Sequence, residues 1–294
     1  MTQTLGSILA EASRAFTAIG CGEARRNARR LITSALGLGS TEMFGHLDRE
    51  ITEPEARHIR QLVSRALRCE PLSRQVGRRE FWGIEFGLSA ATLDPRPDTE
   101  AIVEAVLRRV PERDAPLRVL DLGTGTGCLL LALLSELPKA TGVAIDIVIG
   151  AATTARMNAA ALGFATRAWF CAGDWGKPLS ARFAVVVFNP PYLTRAEFAE
   201  LPRAVRDYDP RRALDGGIDG LEAFRAIGAD LPRLLGPEGI FVTEVGIGQV
   251  DAVCAILRGV GMAINGIERD LAGIARCVVG GLANGGRAAR AKRR

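Results

Sequence analysis

Apolar residues recur at helical spacing near the start of the chain, in Ile8, Leu9, Ala12 and Phe16, and again in Ile59, Leu62, Val63 and Leu67, with Arg and Glu filling the other faces. Pro54 follows Thr52-Glu53, which predicts a helix that starts there with Thr52 as its cap. The pattern predicts a small domain of roughly four or five helices over residues 1–70. From 71 to 95 the texture changes. Phe81-Trp82-Gly83-Ile84-Glu85-Phe86 is short, aromatic and bounded by glycine, and reads as a β-hairpin connector. Asp94-Pro95-Arg96-Pro97-Asp98-Thr99-Glu100 then stops regular structure, and a helix is expected over 98–110.

Beyond that point apolar runs of strand length alternate with helical stretches. The candidate strands are Arg118–Leu122, Gly142–Ile147, Ala168–Cys171, Phe183–Phe188, Ile240–Val245, Ile264–Arg269 and Ala275–Val279. Helices of about 10–15 residues in the early gaps are the signature of βαβ units. The Asp270-Leu271-Ala272-Gly273 link is too short for a parallel crossover, so the last two strands must pair antiparallel. Residues 96–284 thus read as an α/β domain built on a mostly parallel, doubly wound sheet.

Composition narrows the chemistry. The 294 residues are 48% hydrophobic and 24% charged, as expected of a soluble globular chain. The longest uninterrupted apolar run, Cys128 to Leu134, stops at Ser135-Glu136, well short of a membrane span. The N-terminus lacks a basic leader, so a cytoplasmic location is expected. Six cysteines without a Cys-x-x-Cys pair indicate neither a zinc site nor a redox motif. Two histidines, His46 and His58, both lie in the N-terminal part, so no histidine triad can be built in the main body. Part of the net charge of +5 comes from the tail, residues 285–294, which is expected to be disordered. A solvated tail and one that contacts RNA both fit this composition.

Two stretches carry chemistry. Asn189-Pro190-Pro191-Tyr192 follows the apolar run Phe183–Phe188, where a parallel strand should end. Active sites of open α/β sheets gather outside the carboxyl ends of strands. Proline removes backbone donors and leaves carbonyls free as acceptors, so the stretch suits gripping an NH2 group by its hydrogens. Alone, Asn-Pro equally suits a plain turn. The second stretch, Asp121-Leu122-Gly123-Thr124-Gly125-Thr126-Gly127, closes the first strand and opens a helix at Cys128. It lacks the third glycine spacing of a dinucleotide fingerprint and the Gly-Lys-Ser/Thr of a P-loop. Asp121 would repel a pyrophosphate but suits a ligand with an ammonium group. This loop resembles the first motif of the S-adenosylmethionine-dependent methyltransferases. Asp146 ends the second strand, where a carboxylate can accept both ribose hydroxyls or simply cap a helix. Asp174-Trp175 ends the third. There Asp174 can accept from an adenine amino group and Trp175 can form an apolar wall, or the pair can be a surface turn.

Further stretches complete the pattern: Pro71-Leu72, Gly77, Phe81-Trp82-Gly83, Pro95 to Glu100, Asp209 to Leu214, Gly217 to Leu221, and Asp270 to Gly273. Together with the motifs above, they resemble the HemK/PrmC family of protein-(glutamine-N5) methyltransferases, which modify the glutamine of the Gly-Gly-Gln motif in class 1 peptide chain release factors. The resemblance runs from the helical N-terminus to about Val279.

It implies a class I methyltransferase fold, a seven-stranded, mostly parallel sheet with an antiparallel last strand, preceded by a helical domain that docks the protein substrate. It implies S-adenosylmethionine as cofactor, held by Asp121, Gly123, Thr124, Gly125, Gly127, Asp146, Asp174 and Trp175, with Asn189 bordering it. Asn189, Pro190 and Tyr192 are the implied catalytic residues. Pro191, Arg96 and Glu100 join them as substrate-binding residues, with Arg96 and Glu100 either positioning a loop or forming an ion pair at a helix start. No metal is implied. The implied partner is a class 1 release factor, met by a monomer without stable nucleic-acid binding. Glutamine methylation of a ribosomal protein and adenine-N6 methylation of nucleic acid would need the same grip on an NH2 group. The chain departs from the family at Asp94, where an apolar residue is usual, at Ser73-Arg74-Gln75 in the connector, and at Val148, where serine is favoured.

Overall fold

A computed structural model of the chain describes residues 3–20, 22–39, 42–270 and 273–283. The basic tail, Cys21 and the Leu271-Ala272 pair of the last strand link lie outside the described residues. The chain divides into two compact units, Met1–Arg78 with Arg203–Tyr208, and Arg79–Pro202 with Asp209–Arg294.

The first unit is helical. It contains α1 (Leu5–Ala18), α2 (Ala24–Leu36), α3 (Glu42–Gly45), α4 (Glu53–Leu67) and α5 (Leu72–Val76). Thr52 caps α4, as its sequence predicts. Its side chain accepts from the Glu55 N–H while the Glu55 carboxylate accepts from the Thr52 N–H, a reciprocal arrangement whose cap residue contributes about 1 kcal/mol. The apolar stripes read from the sequence meet in one core, where Ile8, Leu9, Ala12 and Phe16 of α1 pack with Leu31 and Ile32 of α2 and Ile59, Leu62 and Val63 of α4. Helix α5 falls inside the stretch read as a hairpin connector. The hairpin itself follows it, as β1 (Arg78–Phe81) and β2 (Ile84–Gly87).

In the second unit a single 3-10 turn, Pro97–Thr99, leads into α6 (Glu100–Arg109). Then come β3 (Arg118–Leu122), α7 (Cys128–Glu136), β4 (Thr141–Asp146), α8 (Ile149–Ala161), β5 (Ala168–Ala172) and β6 (Phe183–Phe188). Two short helices, α9 (Arg195–Ala199) and α10 (Arg203–Arg206), precede α11 (Glu222–Leu234), with α10 counted in the first unit. The chain closes with β7 (Leu235–Glu244), α12 (Val250–Gly259), β8 (Met262–Arg269) and β9 (Ala275–Leu282). Seven strands form one sheet in the order β5-β4-β3-β6-β7-β9-β8. Strands β3 to β7 are mutually parallel, and β9 lies antiparallel to both β7 and β8. Strand β7 begins five residues before the expected Ile240, because Leu235 pairs with Phe183 across a register shift.

Side chains alternate along the central strands, so each sheet face has its own core. Val185 and Val187 of β6 join Val119, Val242, α6 and the apolar Cys128–Leu134 run of α7 on one face. Val186 and Phe188 join Leu120, Leu122, Phe241, α11 and α12 on the other. Both faces are covered, which is why β6 reads as a continuous apolar run. Phe188, the last residue before the motif, is fully buried, and truncating such a ring to alanine costs about 3–5 kcal/mol. The strand that delivers Asn189 is therefore firmly anchored. Among the described residues no helix is long and apolar enough to cross a membrane.

Candidate functional site

The parallel register aligns the loops that leave the carboxyl edge of the sheet. Leu122 pairs with Ile145 and with Phe188, and Phe188 pairs with Thr243. Gly123, Asp146, Asn189 and Glu244 therefore leave the sheet side by side. Between β3 and β6 the chain order reverses, and ligands of open α/β sheets bind at such a switch point. A cavity of about 440 Å³ opens there, within the usual size of a small-molecule site. Of the residues singled out from the sequence, Gly123, Gly125, Asp146, Trp175, Asn189 and Pro191 line it, and Val148, Arg212 and Glu222 are on the same wall.

The glycine loop is made largely of backbone. Gly123 adopts φ +77°, and a Cβ there would stand 3.1 Å from the Trp175 ring. Gly127 adopts φ +84°, with a Cβ position 3.1 Å from Ala155 Cβ. Neither position accepts a side chain without displacement. The Gly123 and Thr124 N–H groups both donate to the Ile145 carbonyl, at 2.8 and 3.0 Å. The Gly125 N–H donates to Asp146 Oδ2 and the Val148 N–H to Asp146 Oδ1, each at 2.9 Å. Each Asp146 oxygen keeps a second lone pair for a ligand hydroxyl. Burial raises the Asp146 carboxyl above the usual range, against the lowering effect of those two N–H donors.

Asp121 lies beneath the loop, fully buried. Its Oδ2 accepts from the Thr124 hydroxyl at 2.6 Å, while its Oδ1 has no hydrogen-bond partner. Burial pushes this carboxyl up to about 7, with the nearby Asp146 adding to the effect and the Thr124 hydroxyl opposing it. A buried carboxylate oxygen without a partner is costly, and a cationic group beside the loop would relieve it.

Asn189 sits in a different environment. Its side-chain Nδ2 donates to Glu244 Oε2 at 2.9 Å and to Thr99 Oγ1 at 3.0 Å. The Thr99 hydroxyl donates to the same Glu244 oxygen at 2.6 Å, and the Tyr192 hydroxyl donates to Glu244 Oε1 at 3.0 Å. Glu244 and Thr99 are both buried. Burial raises the Glu244 carboxyl, while the Thr99 and Tyr192 hydroxyls pull it back. Among the described residues nothing donates to Asn189 Oδ1 or to the Pro190 carbonyl. The loop itself is pinned by Gln249, whose Nε2 donates to the Tyr192 carbonyl at 2.8 Å. The Tyr192 ring stands beside Gly246, not on the cavity wall. Glu244 and Thr99 are the residues that sequence reasoning missed. A carboxylate ending the apolar run Ile240–Val245, at the same edge as the motif, was the available signal.

The other singled-out residues are placed elsewhere. Asp174 is turned to Lys177 in an exposed ion pair and does not line the cavity, although Gly173 and Trp175 on either side do. Trp175 holds a left-handed φ of +47°, unusual for a large side chain. Arg96 and Glu100 form no ion pair with each other. Arg96 meets buried Asp209 at 2.5 Å, and the Asp209 carboxylate also accepts from the Asp94 N–H at 3.4 Å. Glu100 accepts the Trp82 N–H at 2.8 Å and so fixes the hairpin. Asp94 is buried and pairs with Arg79 at 3.5 Å, off the cavity wall. Val148 does line the cavity, so that departure touches the site.

Comparison with known proteins agrees with this architecture. Residues 7–77 match a family described as the PrmC N-terminal domain, and residues 113–256 match a methyltransferase domain. The release factor glutamine methyltransferase of Rhodospirillum rubrum is 42% identical over 94% of this chain and 84% of its own length. That of Bradyrhizobium diazoefficiens is 43% identical over 87% of each. A methyltransferase structure from Pyrococcus furiosus, 14% identical, covers 76% of this chain and 97% of its own with a TM-score of 0.52, and shares the fold. With relatives this similar along nearly its whole length, the chain belongs to the release factor glutamine methyltransferase family.

Proposed function

We propose that this chain transfers a methyl group from S-adenosylmethionine to the side-chain amide nitrogen of the glutamine in the Gly-Gly-Gln motif of class 1 peptide chain release factors. The observation that carries this reading is the amide of Asn189, held by its nitrogen so that its oxygen is left as an acceptor at the cavity. An amide nitrogen is a poor nucleophile because its lone pair is delocalised into the carbonyl. Asn189 Oδ1 and the Pro190 carbonyl accept one N–H each, which aims the nitrogen and offsets the positive charge that develops on it.

The residues present fit the cofactor. The glycine loop offers a close backbone approach, Asp146 offers acceptors for the ribose hydroxyls, and buried Asp121 Oδ1 lacks the partner that an ammonium group would provide. When bound, the cofactor supplies a methyl on a sulfonium, which leaves as the thioether. The amide nitrogen would form the new C–N bond, and its surplus proton would pass to bulk water as the product leaves. Trp175 and Pro191 wall the cavity and exclude water. Asp174 would accept from the adenine amino group once released from Lys177, an exposed partner of little energetic worth. Tyr192 is tethered through its hydroxyl to Glu244 and shields the motif from the side of Gly246. Residues 1–70 dock the release factor. The chain acts as a monomer in the cytoplasm and binds no nucleic acid stably.

The test is transfer of labelled methyl from S-adenosylmethionine to a purified class 1 release factor, beside the same factor with the motif glutamine replaced by glutamate. Label on the first and none on the second is expected. Label on neither, with ribosomal proteins or adenine-containing nucleic acid labelled instead, would overturn the substrate assignment.

A further inference from the structure

The Asn189 amide has two orientations of nearly the same shape, and only hydrogen bonding separates them. One presents an oxygen to the cavity and can accept a substrate N–H. The other presents a donor and would confront that N–H with a second one. We propose that Glu244 is a positioning residue for methyl transfer, which with Thr99 holds Asn189 in the orientation that presents Oδ1. This rests on the functional reading above.

The geometry leaves little freedom. Nδ2 faces two acceptors, Glu244 Oε2 at 2.9 Å and Thr99 Oγ1 at 3.0 Å, which lie so close together that they share one of its protons. The Thr99 hydroxyl has committed its own proton to Glu244 at 2.6 Å, so its oxygen faces Asn189 as an acceptor. A reversed amide would set Oδ1 against two oxygens with no proton between them. The Tyr192 hydroxyl brings a third donor, to Oε1 at 3.0 Å. A carboxylate that meets three donors is used wholly as an acceptor. Glu244 and Thr99 are buried, where such contacts are stronger than in water. The sheet register provides the placement, since Phe188 pairs with Thr243 and the next residues of both strands lie side by side. In its ionised form the carboxylate also polarises the amide, which makes Oδ1 a better acceptor for an N–H on a nitrogen gaining positive charge.

Protonation of Glu244 would remove an acceptor from this arrangement. The groups that face it are Tyr192 from the loop after β6, Asp98 from the turn before α6, and, on β9, its cross-strand partner Cys277 and Arg276, which pairs with Asp98 at 3.0 Å.

The experiment compares wild type, Glu244→Ala, Glu244→Gln and Thr99→Val for turnover on the release factor at saturating cofactor, across pH, with cofactor affinity measured by calorimetry. Glu244→Ala is expected to lose ~10²-fold in kcat, the size of effect of a lost preorganised polar contact, with cofactor Kd changed less than about threefold. Glu244→Gln should recover at least ~10-fold over Glu244→Ala, since its oxygen can take the Oε2 position while the Tyr192 hydroxyl turns to accept from the new NH2. It should also lack the acid-side fall in rate expected of wild type. Thr99→Val should lose a smaller factor. Should Glu244→Ala fail to bind cofactor, the Gln and Val variants decide.

A second readout does not depend on activity. The Asn189 side-chain NH2 protons, assigned by NMR through their loss in Asn189→Asp, should exchange slowly with solvent in wild type and fast in Glu244→Ala. Fast exchange in wild type overturns the proposal. So does a Glu244→Ala kcat within about threefold of wild type, or a Gln variant that recovers nothing and keeps the wild-type pH profile. Wild-type inactivity on the release factor, with slow exchange that Glu244→Ala abolishes, would overturn the substrate reading alone and support the positioning role.

Discussion

The two halves of the cavity edge are built by opposite means. On the β3–β4 side the ligand-facing surface is backbone, with left-handed glycines, N–H groups already spent on Ile145 and Asp146, and a carboxylate held by two of those N–H donors. On the β6–β7 side it is one side-chain amide, oriented by a buried carboxylate and a threonine hydroxyl. A backbone-built surface tolerates little change in shape but most changes in neighbouring polar side chains. A side-chain network tolerates changes in shape but fails when one polar member is lost, because its partners are then left unpaired in a dry place. The first half holds a cofactor whose outline is fixed. The second must distinguish the two ends of an amide.

The comparison predicts separable defects. The largest is expected from Asn189→Ala, which should lose ~10²-fold or more in turnover through the missing acceptor, with cofactor affinity within about threefold of wild type by calorimetry. Parallel losses in both would break the division between the halves. Next comes Gly123→Val. Left-handed backbone strain of roughly 1–3 kcal/mol and the encounter with the Trp175 ring should weaken cofactor binding ~10-fold or more. Turnover at saturating cofactor should fall much less.

A third test uses pH. The Asp121 carboxyl stands at about 7 in the folded protein against an ordinary 3.8. The folded state thus binds this proton more tightly than the unfolded chain. The associated stability is full below about 3.8 and is lost as pH rises through about 7. Urea midpoints of the cofactor-free protein should decline across that window, and Asp121→Asn should decline less. Superimposable profiles would show that Asp121 does not titrate there. The smallest effect is expected at Lys177→Ala. Solvent screens the exposed pair with Asp174, so cofactor affinity should move less than about threefold. A larger loss would give Lys177 a direct part in binding.

The same contrast explains what the sequence disclosed. Phe183–Phe188 was legible residue for residue because a strand covered on both faces carries an unbroken apolar run, and Arg118–Leu122 because its apolar positions lead straight into the glycine loop. The glycine loop and Asn189-Pro190-Pro191-Tyr192 were legible because each concentrates its signal in adjacent residues. Glu244 and Thr99 were not, since they stand 55 and 90 positions from Asn189 and only the sheet register and the start of α6 bring them together. The partner of Arg96 was hidden for the same reason. That partner is Asp209, 113 positions away, not the neighbouring Glu100. For Asp174, strand position alone did not reveal that its carboxylate turns outward to Lys177.

The most direct measurement is tandem mass spectrometry of a class 1 release factor after incubation with S-adenosylmethionine and either wild type or Asn189→Ala. The account predicts one methyl on the side-chain nitrogen of the Gly-Gly-Gln glutamine with wild type and none above background with the variant. A methyl on another residue, or an equal yield from Asn189→Ala, would contradict it.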